Sequence, residues 1–108
     1  MVTMVQKYFN KYRITVRSKN FAEIECYDTS VSKNNPVADL RFYDNVNSHE
    51  NTYLSNIDRI ILIFYIDRFN DVYNLIRYEK PVYAYIDPQT LDGHVGSQQE
   101  PVGEEDIV

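Results

Sequence analysis

The chain is predicted to fold as one α+β domain, with an antiparallel sheet of about five strands and one helix packed on one face, in the order ββββαβ. Several segments alternate apolar and polar residues as half-buried strands do, and one segment has the apolar spacing of a helix. A length of 108 residues, 44% of them hydrophobic and 25% charged, suffices for one hydrophobic core and is typical of a globular protein. We expect residues 1–96 to form this domain.

The first two predicted strands form a hairpin. Residues 12–17 and residues 21–27 alternate apolar with polar side chains, so each strand has one face for the core and one for solvent. The predicted buried faces comprise Tyr12, Ile14, Val16, Ala22, Ile24 and Cys26. The tight turn between the strands is predicted to use Asn20, because asparagine tolerates a left-handed backbone better than most residues.

Residues 37–44 form the third predicted strand and residues 59–66 the fourth. The fourth segment is almost continuously apolar, as expected for a central strand covered on both faces. Between the two strands, residues 45–56 are rich in Asn, Ser and His and are predicted to form a mobile surface loop. The core of the sheet is predicted to comprise Ala22, Ile24, Leu40, Phe42, Ile61 and Ile63.

A helix is predicted directly after the fourth strand. Its apolar stripe comprises Phe69, Val72, Tyr73 and Ile76. Their i, i+3, i+4 and i+7 spacing puts them on one face, Asp67 is the predicted N-cap, and Pro81 ends the helix. Residues 82–86 form the last predicted strand, and residues 87–96 are predicted to form a loop or a short extra hairpin.

Cysteine and apolar content restrict the cellular compartment. A single cysteine, Cys26, excludes an internal disulfide and a multi-cysteine zinc site, which fits a reducing compartment. The longest apolar run, residues 60–66, falls short of the roughly twenty residues that span a bilayer, and residues 1–10 lack the apolar region of a signal peptide. We therefore expect a cytoplasmic protein with no membrane partner.

Charge is distributed unevenly along the chain, although the net charge is only −5. The first twenty residues contain five basic residues and no acid, whereas no Lys or Arg follows Lys80. Residues 97–108 are predicted to form an acidic, flexible tail with the motif Glu104, Glu105 and Asp106. Either the tail is solubilising, or it folds back onto the basic first strand of the same protein or of a second copy, because basic grooves bind extended acidic peptides.

No catalytic or cofactor motif is apparent. A nucleophilic site needs Ser or Cys placed by a histidine, and the chain has only His49 and His94, each in a polar segment. These histidines form pairs with Glu50 and Asp92 that fall short of the three or four ligands of a metal site. Cys26 lies at a buried position, where a thiol is structural. The sequence therefore predicts no enzyme, no metal and no cofactor.

One predicted surface has residues suited to binding. The outer sheet face is predicted to carry Arg13, Arg17, Tyr27, Arg41 and Tyr43. Such faces bind single-stranded nucleic acid, with bases stacked on rings and phosphates paired with arginine. Glu23, Glu25 and Asp39 share the face, so cross-strand ion pairs on a solvated surface are the alternative interpretation.

Two motifs of the chain resemble a known family. Residues 67–83 read Asp-Arg-Phe-Asn-Asp-Val-Tyr-Asn-Leu-Ile-Arg-Tyr-Glu-Lys-Pro-Val-Tyr, and residues 100–105 read Glu-Pro-Val-Gly-Glu-Glu. The chain is similar in these motifs to a family of small uncharacterised bacterial proteins with an Arg-x-Glu-Lys-Pro-Val-Tyr helix exit and a closing Glu-Pro-Val-Gly-Glu. The resemblance implies no activity and assigns no functional residue. It implies that the tail belongs to the natural protein.

Ten tyrosines and five phenylalanines make the aromatic content the most unusual part of the composition. So many tyrosines on one sheet face, together with the open edges of a small sheet, favour an interface between proteins. The leading functional prediction is a small non-catalytic protein-interaction module that self-associates as a homodimer. The alternative is single-stranded nucleic-acid binding through the outer sheet face, masked by the acidic tail.

Overall fold

Segments with alternating or β-branched residues form strands in the computed structural model of the chain, which describes residues 3–98. The strands are β1 (Val5–Phe9), β2 (Lys11–Arg17), β3 (Phe21–Tyr27), β4 (Ala38–Tyr43), β5 (Thr52–Leu54), β6 (Arg59–Tyr65), β7 (Val82–Ile86) and β8 (Gly93–Ser97). The helix α1 spans Phe69–Tyr78 and lies between β6 and β7. The predicted α+β class, with one α-helix in this part of the chain, is confirmed.

The strands form two sheets instead of the single sheet predicted. The larger sheet has the order β2-β3-β4-β6-β5, and the smaller has the order β1-β7-β8. All neighbouring strands are antiparallel except β4 and β6, which run parallel. The mostly antiparallel character is therefore confirmed, whereas the predicted strand count and the order ββββαβ are wrong.

Three strands outside the predicted order account for the difference, and one of them, β8, forms with β7 the short extra hairpin that was one of the two alternatives for residues 87–96. In β1 the inward position between Val5 and Phe9 is occupied by Lys7, which hides the apolar alternation. β8 has the sequence Gly-His-Val-Gly-Ser, whose glycines have low strand propensity, and it exists because it pairs with β7. β5 lies within the segment predicted as a surface loop. Asn51, beside it, accepts a 2.8 Å hydrogen bond from the Ile63 amide.

Only Asn10 separates β1 from β2, so one stretch of chain passes from the smaller sheet to the larger. The backbone N–H of Asn10 donates to the Tyr27 carbonyl at 2.9 Å, and its side chain donates to Thr29 Oγ1 at 2.9 Å. These bonds fix the point at which the chain changes sheets. On the inner face of β2, Tyr12 is 38% exposed and Val16 is 71% exposed, so their predicted burial is wrong. Ile14 alone of the three is partly buried against the core.

The hairpin between β2 and β3 is confirmed. Asn20 has a φ of 46°, the left-handed conformation that its position in the turn requires. Its side chain also donates a 3.2 Å hydrogen bond to Asp44 Oδ2 at the end of β4. The turn thereby fixes the register in which every polar side chain of β2 and β3 faces outward.

The inner faces of both sheets and one side of α1 form a single hydrophobic core. Its buried residues are Phe9, Ala22, Ile24, Cys26, Val37, Ala38, Leu40, Phe42, Ile60, Leu62, Val72, Ile76, Val82, Ala84 and Ile86. The predicted core residues of β3 and β4 are confirmed. Ile61 is buried as predicted, with 6% of its surface exposed, whereas Ile63 is only partly buried. Both lie on the outer side of the sheet and not in the predicted inner core, because the parallel register of β6 aligns them with Asp39 and Arg41.

The helix covers the larger sheet through its apolar stripe. The ring of Phe42 lies 5.1 Å from that of Phe69 and 5.2 Å from that of Phe64, measured between ring centroids. The predicted cap at Asp67 is wrong, because a short 3₁₀ turn occupies Ile66–Arg68 and the N-cap residue, Arg68, makes no side-chain capping bond. Within residues 3–98, no helix has the length and hydropathy needed to cross a membrane.

Candidate functional site

The outer face of the larger sheet carries a network of ion pairs. Antiparallel register places Arg13 opposite Glu25 and Glu23 opposite Arg41. Arg13 Nη2 lies 2.7 Å from Glu25 Oε1, and Arg41 Nε lies 3.1 Å from Glu23 Oε2. These side chains therefore form the cross-strand ion pairs that were the alternative interpretation of this face.

Asp39 is the most deeply buried member of this network, with 2% of its surface exposed. Its Oδ2 lies 3.4 Å from guanidinium nitrogens of both Arg41 and Arg59. Its Oδ1 has no hydrogen-bond partner among the residues that the structure describes. Burial raises the pKa of this carboxyl, and Glu23 adds to the increase, whereas Arg59 and Arg41 lower it.

The register places all five residues of the predicted binding surface on this outer face. Arg13 and Arg41 are engaged in the ion pairs. The Tyr43 ring stacks on the His49 ring at a centroid distance of 3.8 Å and an interplanar angle of 8°, which covers one side of the tyrosine. Arg17 lies opposite Phe21 at the end of the hairpin and makes no ion pair within residues 3–98.

Beside this stacked pair lies a cavity with a volume of about 360 Å³. Its lining includes Arg41, Tyr43, His49, Glu50, Ile61 and Ile63. The two isoleucines that were predicted in the core thus contribute to its apolar surface. Ser48 and Thr52 also line the cavity, and in the part of the chain that the structure describes no side-chain hydrogen bond joins His49 to an acid or a hydroxyl.

A second surface lies on the outer face of the smaller sheet. We call it the tyrosine face and define it by Tyr8, Tyr83, Tyr85 and His94. Tyr8 and Tyr83 meet edge to face at 5.8 Å, and His94 stacks on Tyr85 at 4.6 Å, both measured between ring centroids. Tyr83 also meets His94 edge to face at 5.7 Å. The four rings therefore form one continuous aromatic cluster across β1, β7 and β8.

Hydrogen bonds orient the hydroxyl groups of the tyrosine face. Tyr8 Oη accepts from Gln6 Nε2 at 3.2 Å and from Gln98 Nε2 at 3.0 Å. Tyr83 Oη lies 3.4 Å from His94 Nε2. The ring of Tyr83 covers Gly96, because a Cβ on that glycine would lie 2.8 Å from Tyr83 Oη. The absence of a side chain on Gly96 thus lets the ring lie flat against the sheet.

The tyrosine face carries no acid, lysine or arginine at the described outward positions of β1, β7 and β8. The sequence predicted the strand that contains Tyr83 and Tyr85, but it missed Tyr8 because β1 was not recognised. It did not place His94 on this face because residues 87–96 were predicted as either a loop or a short hairpin. The alternation of Gln6 and Tyr8 with Val5 and Phe9 was the signal that identifies β1. The predicted tail motif Glu104, Glu105 and Asp106 lies outside the described residues.

The remaining residues that could act as a nucleophile or as metal ligands do not form a site in the described part of the chain. Cys26 is fully buried, and burial raises the pKa of its thiol well above the ordinary value. Within residues 3–98, no group of three or more histidine, cysteine, aspartate or glutamate side chains is arranged to hold a metal ion.

Comparison of the chain with protein-family models, curated proteins and solved structures found no match. The resemblance to a bacterial family therefore stays a prediction.

Proposed function

We propose that this protein is a non-catalytic protein-interaction module that self-associates through the tyrosine face. The observation that supports this proposal is the cluster of three tyrosines and a histidine on an outer sheet face whose described positions carry no Asp, Glu, Lys or Arg. Tyrosine is enriched in protein interfaces, and charged residues are depleted at their centres. This composition distinguishes the face from the larger sheet, whose outer side is covered with ion pairs.

Self-association is the form of interaction that this surface favours. A two-fold symmetric dimer uses the same patch on both copies, so the patch has to complement itself. An aromatic face without Lys, Arg, Asp or Glu meets that condition because it sets none of these charges opposite its own copy, and aromatic rings pack edge to face or offset. Gln6 and Gln98 at the margin provide amide groups for hydrogen bonds around the rings.

The test is the molecular mass in solution, measured by light scattering and sedimentation over a range of concentrations. We expect a dimer whose dissociation constant rises about tenfold or more in Tyr8→Ala and in Tyr85→Ala, since a central aromatic residue contributes about 2 kcal/mol. Tyr65→Ala is the matched control, because Tyr65 is an exposed tyrosine at the end of β6, outside the tyrosine face. A monomeric mass at all concentrations would contradict the proposal.

Single-stranded nucleic-acid binding through the outer face of the larger sheet is the second candidate. The observation that favours it is the shared face of Arg13, Arg17 and Arg41 with Tyr27 and Tyr43. Two of these arginines would have to exchange their carboxylate partners for phosphates, and the acidic tail would mask the face in the free protein.

The nucleic-acid alternative is tested by labelled single-stranded DNA and RNA at low and moderate salt. If it holds, a chain ending at Gln98 binds more tightly than the full chain, and Arg17→Ala weakens binding and reduces the salt dependence. Lys33→Ala removes an exposed charge from a loop and serves as the control. Equal affinities for both chains at every salt concentration would exclude masking by the tail.

A further inference from the structure

The outermost strand of the larger sheet, β2, has an open edge. β2 pairs with β3 on one side, and no strand lies on its other side among the residues that the structure describes. Five of its seven residues are exposed, including Val16. An open edge presents unpaired backbone N–H and C=O groups to any extended chain that lies beside it. We call this side of the strand the β2 edge.

We propose that the β2 edge binds an extended acidic segment of a partner protein by β-strand addition. This inference rests on the proposed function in taking the protein to be an interaction module. The location of the site does not depend on that proposal, because the β2 edge is separate from the tyrosine face. In this mode, main-chain hydrogen bonds provide affinity and alternate side chains provide specificity. The charge of the edge and its neighbouring groove define which segment fits.

The charge of the β2 edge is positive. Lys11 and Arg17 point to the outer face and form no ion pair within residues 3–98. Lys19 adds a third exposed cation in the turn that follows. Arg13, between them, is the only outward cation of β2 that pairs with an acid in the described region, Glu25. A strand bearing carboxylates on the outer face would therefore find cations along the length of β2.

A second copy of β2 is a poor occupant of its own edge. Antiparallel pairing of two copies about Ile14 would place Lys11 of each copy opposite Arg17 of the other. Like charges directly opposite each other destabilise a strand pair. The charge pattern therefore favours an acidic strand from a different protein over self-pairing.

A groove with a volume of about 380 Å³ lies where β2 begins, against the end of α1. Its lining includes the apolar groups of Tyr12, Ile76 and Pro81 and the charged side chains of Arg77, Glu79 and Lys80. Phe9 and Asn10, which precede β2, and Val82 of β7 complete the described lining, and no residue of β3 belongs to it. It offers a place for an apolar side chain of the added strand, with two cations and one acid around it.

These features predict the sequence pattern of the partner segment. Side chains of β2 alternate between cationic or polar on the outer face and apolar on the inner face. A strand added beside it has the same two faces, so acidic residues should alternate with apolar ones over about seven positions. Acids then lie beside Lys11 and Arg17, and apolar residues beside Tyr12, Ile14 and Val16.

Peptide binding to the full chain tests the proposal. The probe is a labelled seven-residue peptide that alternates Glu and Val, and its control has the same composition with the residues in two blocks. Fluorescence anisotropy is expected to give at least about a tenfold higher affinity for the alternating peptide. Hydrogen exchange should show new protection of backbone amides in residues 11–17 with that peptide alone.

Two charge-reversal variants distinguish a specific site from general attraction. Arg17→Glu should weaken binding of the alternating peptide about tenfold or more, because a carboxylate would then face a carboxylate. Lys33→Glu makes the same change in net charge at an exposed loop position and should leave the affinity within about twofold. Equal affinity for both peptides, or equal losses in both variants, would overturn the proposal.

Two further outcomes would also overturn it. Concentration-dependent protection of residues 11–17 without peptide would mean that a second copy occupies the β2 edge. Displacement of the peptide by single-stranded oligodeoxythymidine, with protection of the same amides, would assign the edge to nucleic acid. Tyr85→Ala, which tests self-association through the tyrosine face, is expected to bind the peptide normally, so failure of either proposal can be recognised separately.

Discussion

Lys7 and Asp58, 51 residues apart in the chain, form an ion pair that joins the smaller sheet to the turn between β5 and β6. Lys7 points to the same side of its sheet as the buried Ala84, and its ammonium group reaches the Asp58 carboxylate at the edge of the core. Tyr53 also donates its hydroxyl to Asp58. Hydrogen bonds from Lys7 and Tyr53 lower the pKa of this carboxyl below its ordinary value.

Lys7→Met is predicted to reduce the free energy of unfolding at neutral pH by up to about 1 kcal/mol, the size typical of an exposed ion pair. The depressed pKa of Asp58 means that its contribution is present above the ordinary aspartate pKa of about 3.9 and is lost as the pH falls through the folded-state pKa. Urea unfolding should therefore show a difference between the two proteins that shrinks in acid. A constant difference at all pH values would contradict this assignment.

Asp39 is predicted to give the opposite pH dependence. Because burial raises its pKa in the folded protein, its ionisation costs more there than in the unfolded chain, so its contribution to stability falls as the pH rises above about 3.9. Asp39→Asn removes this dependence. Relative to the variant, the wild-type protein should lose stability through the folded-state pKa, as measured by urea unfolding between about pH 4 and pH 7. An unchanged pH profile would show that the carboxylate is not desolvated.

The two faces of β6 are predicted to differ in their contribution to stability. Ile60 is fully buried on the inner face of the larger sheet, so Ile60→Ala should lower the free energy of unfolding by about 2–5 kcal/mol. Ile63 is partly exposed beside the outer cavity, so Ile63→Ala should lower the free energy of unfolding by only about 1 kcal/mol. Comparable losses at both positions in denaturant unfolding would contradict the orientation of this strand.

Gly96→Ala is predicted to weaken self-association more than it affects folding. The new methyl group would lie 2.8 Å from Tyr83 Oη, so the tyrosine ring must tilt away from the sheet. Since the displaced atoms belong to the end of a flexible side chain, unfolding free energy should change by less than about 1 kcal/mol. Sedimentation would then show a weaker dimer. Ser97→Ala, one residue further along β8, is the control and should preserve dimerisation.

Several elements could be predicted because their determinants are local. The bounds of β3 and β7 match residues 21–27 and 82–86, where alternation is uninterrupted, and Asn20 adopts the positive φ that a tight turn needs. The burial of Cys26 was predicted from the same alternation and is confirmed. In each case the residues that determine the structure lie within a few positions of one another.

Other elements depend on distant partners and could not be predicted. The inward Lys7 of β1 is compatible with a strand only because Asp58 lies beside it in the fold, and β8 depends on β7. The continuous apolar run of β6 has no alternation, so the sequence could not decide between Ile60 and Ile61 for the core. The tyrosine face could not be predicted because it also depends on distant pairing. β1 and β8 have to pair with β7 before Tyr8 and His94 lie beside Tyr83.

The single residue that separates β1 from β2 has a consequence for how the protein loses its structure. Both sheets bury their inner faces in one hydrophobic core, and β1 continues into β2 through Asn10, so loss of either sheet would expose apolar side chains of the other. Heat, denaturant or mechanical force applied to either end should therefore melt both sheets in one transition. A partly folded form in which one sheet survives alone is therefore not expected.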